Sequence, residues 1–428
     1  MKVLIVTYYW PPAGGPGVQR WLKFVKYLRD FGVEPVVFTA ENPSYPILDE
    51  SLIKDVPDGI EVIKSSIFEP NSILSKFKKK GTQNSMGFLN PNPTFLDKVL
   101  MYIRANYFIP DARKFWIKPS VKKLKEYLKN NKVDVLITTG PPYSVHLIGL
   151  KIQQQLKIKW IADFRDPWTS VDYFHLLPLT KNSLKKHYTL EEKVVKEADG
   201  VLMVSNHAKK KYEENAKLIE VITNGFDVDG IHSEEEEVVV DNKFTLTHIG
   251  MMNSERNPKI LWEVLSELSK ENANFADDFV LKFIGKIDNT ISEEIEKSNL
   301  KNVEKISYVP HPVAKQYQKE TQVLLIVVND YASAKEMIPG KTFEYLQAKR
   351  PIVGIGPEDG DLADIVKENN AGRVFSYQNK KELKEYILKL YNQYKLGGIP
   401  KLDNSIEKYH RKQLTKNLVD YIGKVYNS

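Results

Sequence analysis

Short apolar runs rich in β-branched residues alternate with stretches of helical period along almost the whole chain. Residues 3–7 read as a strand. Val18, Trp21, Leu22, Val25 and Leu28 then share one helical face, and residues 36–38 form the next strand. That βαβ opening predicts a doubly wound parallel sheet. Further strands are expected at 134–138, 160–162, 200–204 and 221–223, with helices over 145–155 and 190–198. A second series begins at Phe244. Its strands are expected at 244–250, 280–284, 306–309, 323–328, 352–355 and 372–374, and Ile260, Leu261, Val264, Leu265 and Leu268 mark a helix after the first of them. The run VLLIVV at 323–328 has no polar position, as a strand buried on both faces requires. A final amphipathic helix fills 405–426.

Two series of similar size argue for an α/β protein of two Rossmann-like, doubly wound domains facing a cleft. The expected division is 1–230 and 231–404, with 405–428 a helix returning to the first domain; the acidic run Glu234 to Glu237 marks the join. Residues 65–118 break the pattern and read as an insertion. They carry the lysine run Lys76 to Lys80 (KFKKK), then NPNP at 90–93, then Tyr102, Tyr107, Phe108, Phe115 and Trp116. A lysine run is most simply a solvated face; beside aromatics it also suits an anionic bilayer.

Composition narrows the class. The chain has 428 residues, 42% hydrophobic and 27% charged, enough for sizeable cores. It has no cysteine, which excludes disulfides and thiolate metal sites. The N-terminus reads as a first strand rather than a signal peptide, and no segment approaches the roughly 20 apolar residues of a membrane span. A cytoplasmic protein, peripheral on the inner face of the cell membrane, is expected. The net charge of +7 suits a phosphate-bearing ligand or an anionic surface. One short basic run is too little for a nucleic-acid binder.

Candidate chemistry concentrates after VLLIVV. Pro339-Gly340 breaks the chain and Lys341-Thr342-Phe343-Glu344 opens a helix, whose free N–H groups and positive dipole end form a phosphate seat. Lys341 adds a mobile cation. Glu344 is placed to accept hydrogen bonds from a vicinal diol, and Glu336 precedes it on the loop. A sugar nucleotide combines these groups. In the first half, the loop with Gly14, Gly15 and Gly17 either admits a ligand to the backbone or is a tight turn; its spacing is not a dinucleotide fingerprint. Asp163-Phe164-Arg165-Asp166 ends a strand where open α/β sheets place their sites, or else pairs Asp with Arg to stiffen the turn. His146, on a helix, reads as packing.

These pieces in this order resemble family 4 glycosyltransferases, of the GT-B fold. The resemblance rests on the early glycine loop, VSNHAKKKY at 204–212, NGFD at 224–227, the Gly250 loop and the two glutamates with seven residues between, and leaves out about 65–118. It is nearest to a bacterial subgroup that builds surface polysaccharides. The resemblance implies a first domain that takes a saccharide or lipid-linked acceptor and a second that binds a nucleotide-sugar donor. It also implies a retaining, metal-independent, hexosyltransferase-like reaction with no cofactor beyond that co-substrate. Glu344 would hold the ribose, Glu336 would lie near the donor sugar, and Gly340 and Lys341 would hold the diphosphate with Thr342, Gly250, Gly15 and Gly17. Arg256 stands at a clamp position, but Met251 replaces the family's arginine after Gly250, and Arg165 replaces a histidine before Asp166. Asp163 or Asp166 would orient the acceptor. A sugar-nucleotide epimerase of the same architecture, and a non-catalytic nucleotide-sugar-binding subunit of a polysaccharide assembly complex, are the alternatives.

Overall fold

The computed structural model describes residues 1–69, 94–171, 174–227, 238–403 and 405–428. The lysine run at 76–80, the NPNP stretch and the acidic run at 234–237 lie outside the described residues. By its internal contacts the chain divides into two units, Met1–Asn224 with Arg411–Ser428, and Gly225–His410.

The first unit holds seven parallel strands: β1 (Lys2–Val6), β2 (Glu34–Glu41), β3 (Glu61–Ser66), β4 (Val135–Gly140), β5 (Lys159–Phe164), β6 (Gly200–Met203) and β7 (Ile219–Val221). They lie in the order β3-β2-β1-β4-β5-β6-β7. The two-residue period of a strand sends Leu4 and Val6 to one helical layer and Val3 and Ile5 to the other. Both faces are covered, so the central strand β1 is apolar throughout after Lys2. On the second face the helix Pro16–Leu28 packs against the terminal helix Arg411–Asn427. Tyr421 of that helix donates its hydroxyl to the Val201 carbonyl, and a side chain at Gly200 would begin 2.7 Å from the Tyr421 hydroxyl oxygen.

The second unit holds β8 (Phe244–Ile249), β9 (Phe279–Ile284), β10 (Val303–Ile306), β11 (Val323–Val327), β12 (Ile352–Ile355) and β13 (Gly372–Phe375), in the order β10-β9-β8-β11-β12-β13. Both orders reverse once, at β1/β4 and at β8/β11, which is the doubly wound arrangement.

Four expectations shift. β3 is a strand the pattern did not predict: it is an edge strand paired only with β2, so its solvent side carries polar residues. Residues from 117 onward, placed at the end of an insertion, open the crossover helix Ile117–Asn130, with Leu124 fully buried. β10 runs 303–306 instead of 306–309, because pairing of Val303 with Leu281 sets its register. The last helix begins at Arg411, after a short turn at Glu407–Tyr409, instead of at Ser405.

Candidate functional site

β8 and β11 are neighbours whose chains continue to opposite layers, so a crevice opens beyond their carboxyl ends. Gly250 ends β8 with φ +109°, and Gly285 ends β9 with φ +117°. A side chain on Gly285 would begin 2.7 Å from the Gly250 carbonyl oxygen, and one on Gly250 would begin 3.1 Å from the Lys341 amine. Two glycines thus let two loops and a half-buried lysine meet. Gly250→Ala is expected to lower stability by about 1–3 kcal/mol. It should also weaken nucleoside-diphosphate binding, which denaturant titration and calorimetry will measure separately.

Lys341 opens the helix Lys341–Ala348, whose Phe343 and Leu346 are fully buried and hold it on the sheet. Its amine is fixed rather than mobile. It donates to the Ile249 carbonyl at 2.5 Å and lies 3.2 Å from His248 Nε2. His248 Nδ1 is 3.1 Å from the Leu325 carbonyl, which can only accept, so Nδ1 carries the proton and Nε2 accepts from Lys341. Burial, with Lys341 beside it, holds His248 well below the usual histidine range. Burial first, and then the Arg256 charge, push the Lys341 ammonium down to about 7. The next turn is tied to the same strand, since the Tyr345 hydroxyl accepts from the Ile249 N–H at 3.0 Å.

Arg256 donates through Nε to Asn329 Oδ1 at 2.8 Å. Asn329 is fully buried, and neither its Nδ2 nor the Oγ1 of buried Thr342 has a hydrogen-bond partner among the described residues. Buried polar atoms of this kind fit a polar ligand. Glu344 is held by His311 Nε2 and Gln318 Nε2, each at 3.0 Å. Burial works to raise its pKa, but these two donors and the neighbouring cations bring the net shift below the ordinary carboxylate value. Glu336 closes a short turn, Ala332–Glu336, ahead of Gly340. Gly250, Arg256, Lys341, Thr342 and Glu344 are therefore brought to one end of one sheet.

Gly15, Gly17, Arg165 and Asp166 belong to the other unit and are gathered at its own switch point. Arg165 Nη1 donates to the Gly17 carbonyl at 2.6 Å, its Nε is 3.5 Å from Asp166 Oδ2, and its guanidinium lies over the Tyr9 ring at 5.7 Å. Asp166 is about half exposed, its side chain 49% accessible. Asp163 does not belong with them. It is fully buried, and its carboxylate accepts from Arg20, Trp21 and Thr139. An Asp–Arg pair does stiffen this turn, between Arg165 and Asp166, while Asp163 pairs with Arg20 from the first helix. His146 is buried on Phe164 with Nδ1 2.9 Å from Thr138 Oγ1, so it packs.

His248, Asn329, His311, Gln318 and Tyr345 were not singled out from sequence. A signal existed for two. His248 is the one titratable side chain in β8, and Asn329 is the first polar residue after VLLIVV. Among the described residues no group of three or more His, Asp and Glu is spaced to hold a metal ion.

No curated protein sequence matches this chain. Solved structures do. A variant of S. aureus TarM in complex with fondaparinux, alpha-GlcNAc-glycerol and UDP aligns over 100% of both chains, with TM-score 0.61 and 12% identity. WaaG, a glycosyltransferase involved in lipopolysaccharide biosynthesis, aligns over 98% of this chain and 95% of its own, with TM-score 0.52 and 14% identity. UDP-GlcNAc 2-epimerase from Methanocaldococcus jannaschii aligns over 99% of this chain and 100% of its own, with TM-score 0.51 and 12% identity. At these identities the likeness shows the fold alone, and transferase and epimerase share it. The family models separate them. Residues 86–229 match Glycosyltransferase Family 4, and residues 232–413 match Glycosyl transferases group 1. The first match takes in residues 86–118, which the sequence resemblance left out, and does not reach the glycine loop at 14–17. Matched in both halves and folded as two Rossmann-like units, the chain belongs to the family 4 glycosyltransferases of the GT-B fold.

Proposed function

We propose that this glycosyltransferase is a retaining, metal-independent enzyme that moves a hexose from a nucleotide-sugar donor to a saccharide or lipid-linked saccharide. The setting we propose is cell-surface polysaccharide synthesis at the inner face of a membrane, with no cofactor beyond the donor. WaaG, which shares the fold, is involved in lipopolysaccharide biosynthesis. The observation that carries the donor assignment is the juxtaposition of Lys341 and Arg256 at the β8/β11 switch point, with Glu344 three residues into the helix.

In this reading the donor diphosphate sits over Gly340 at the helix start, with Lys341 and Arg256 as its cations. The Lys341 amine supplies at Gly250 the charge that the exposed Met251 does not. The Thr342 hydroxyl and the Asn329 amide add donors. Glu344 accepts from the ribose hydroxyls, held in orientation by His311 and Gln318. As the bond from the sugar to the diphosphate breaks, charge grows on the leaving oxygen, and fixed donors aimed there lower the barrier. The acceptor hydroxyl attacks from the same face and passes its proton to that oxygen, so configuration is retained and no separate base is needed. Glu336 lies by the donor sugar. Arg165 and Asp166 orient the acceptor, with Gly15 and Gly17 giving close backbone approach.

Glu344→Ala is expected to weaken nucleoside-diphosphate binding by about 10- to 100-fold through loss of the charged acceptor. Calorimetry with UDP, GDP, ADP and dTDP identifies the base and measures the loss. Unchanged affinity would remove Glu344 from the donor site. Release of nucleoside diphosphate only when acceptor is present, with the anomeric configuration of the product read by NMR, distinguishes a retaining transferase from an epimerase or an inert binding subunit.

A further inference from the structure

The helix Phe95–Tyr107 begins at a capping box of Thr94 and Asp97, and of its 13 residues Ala105 alone is buried. Leu96, Leu100, Ile103 and Tyr107 recur at i, i+4, i+7 and i+11, which places them on one stripe of a helix. At about 100° per residue, that stripe lies opposite Ala105. Leu96 is 64% exposed, Ile103 40% and Tyr107 66%, with Phe95 at 83% beside them. An apolar stripe on a globular protein ordinarily faces the core. Here the small residue faces the protein, Leu100 is half-buried, and Leu96, Ile103 and Tyr107 face out.

The helix is anchored at its far end. Asn106 Nδ2 donates to the Pro178 carbonyl, and Asn106 Oδ1 accepts from the Thr180 N–H, both at 2.8 Å. The helix Lys181–Glu197 therefore starts beside it. Lys181, Lys185 and Lys186 are exposed there, as are Lys98 and Arg104 on the first helix. Against these cations the first helix has one acid, Asp97, and its carboxylate is engaged by Thr94. Aromatic rings flank the stripe, with Phe95 at one end, Tyr107 at the other, and exposed Phe115 near by in sequence. Apolar stripe, nearby cations and terminal aromatics together have the chemistry of a helix lying in a bilayer interface.

We propose that the face formed by Leu96, Leu100, Ile103 and Tyr107, with Arg104 at its flank and Lys181, Lys185 and Lys186 on the adjoining helix, rests on an anionic lipid surface. The inference rests on the reading of a lipid-linked acceptor and gives it a physical location on the first unit. The charge excess selects anionic lipid over a neutral apolar partner such as a second copy of the chain, since two copies would bring like charges together.

Full-length protein is sedimented with phosphatidylcholine vesicles, with and without phosphatidylglycerol, across a salt series. Binding is expected only with phosphatidylglycerol and should fall with salt. Leu96→Glu with Ile103→Glu, and separately Lys185→Glu with Lys186→Glu, should each lower partitioning by at least about tenfold. Nucleoside-diphosphate affinity should stay unchanged in both, which also shows that they fold. The proposal is overturned if the wild type ignores phosphatidylglycerol, binds both vesicles equally, or partitions like either variant. It also falls if light scattering shows a dimer that Leu96→Glu with Ile103→Glu dissociates. Wild type that binds vesicles but no nucleoside diphosphate would instead remove the donor reading and leave this surface standing.

Discussion

Lys341→Met is expected to lower kcat/KM for transfer by about 100- to 1,000-fold, the usual loss when one preorganised charge stabiliser is removed from a developing anion. The methionine keeps the apolar length of the side chain, so the buried wall beneath Gly250 stays filled. What disappears is the ammonium donor 2.5 Å from the Ile249 carbonyl and 3.2 Å from His248. Arg256 remains and still binds Asn329, so residual activity should persist. Steady-state kinetics with the preferred donor measures the loss; a change below tenfold would assign Lys341 to structure instead.

The same lysine makes donor binding pH-dependent. Burial and then Arg256 hold it at about 7 in the free protein, so above that pH it is largely neutral. A bound diphosphate favours the ammonium and raises its pKa, so binding at pH 8 must take up a proton. Affinity is therefore expected to fall as pH rises through about 7. Calorimetry of nucleoside diphosphate in buffers of different ionisation heat reads the proton directly, and Lys341→Met should abolish the uptake. Stability moves the other way. An unfolded lysine titrates near 10.4, so between about 7 and 10 the unfolded chain holds the extra proton and Lys341's contribution becomes less unfavourable as pH rises. Below about 7 both states carry the charge and the full burial penalty is present.

Asp163→Ala is expected to lower the stability of the first unit by about 3–5 kcal/mol, because it leaves Arg20 as a buried, uncompensated charge. The pair is fully enclosed, with both side chains 0% accessible and 2.9 Å between Arg20 Nη2 and Asp163 Oδ1. Trp21 Nε1 at 2.6 Å and Thr139 Oγ1 at 2.8 Å lose their acceptor as well. Arg20 also donates to the Ile222 and Thr223 carbonyls, so one ion pair joins the first helix, β4, β5 and the segment after β7. Burial alone would raise the Asp163 pKa, but Arg20 and the hydrogen bonds lower it overall. Its stabilisation is therefore complete above about pH 4, the unfolded value, and fades as pH falls through the lower folded one. Urea unfolding followed by tryptophan fluorescence should show the drop, and a loss under 1 kcal/mol would contradict this account.

Much of the architecture was legible before any coordinates. The alternation of apolar runs with helical stripes marked both sheets, since the central strands are covered on two faces and the helices packed on them on one. VLLIVV, the glycine after β8 and the start of the helix at Lys341 fell where the pattern placed them. The spacing of Glu336 and Glu344, with the order of the other pieces, led to the family that the two matched models show. β3 was not legible, because an edge strand open to solvent carries no apolar run. The start of the helix at residue 117 was missed because a lysine-rich surface masks its single buried stripe.

Local pattern could state which residues are buried but not which buried side chains meet. Lys341 and His248 are 93 residues apart, Arg165 and Gly17 148, and Arg20 and Asp163 143. Each pairing depends on the order of strands in the sheet, which periodicity does not encode. That is why a lysine that reads as a mobile cation proves to be a fixed, half-buried one near neutrality. It is also why Asp163, which reads as part of a reactive turn, proves to brace the first unit. Side-chain type and spacing named the chemistry; the strand order decided which charges act on a ligand and which hold the protein together.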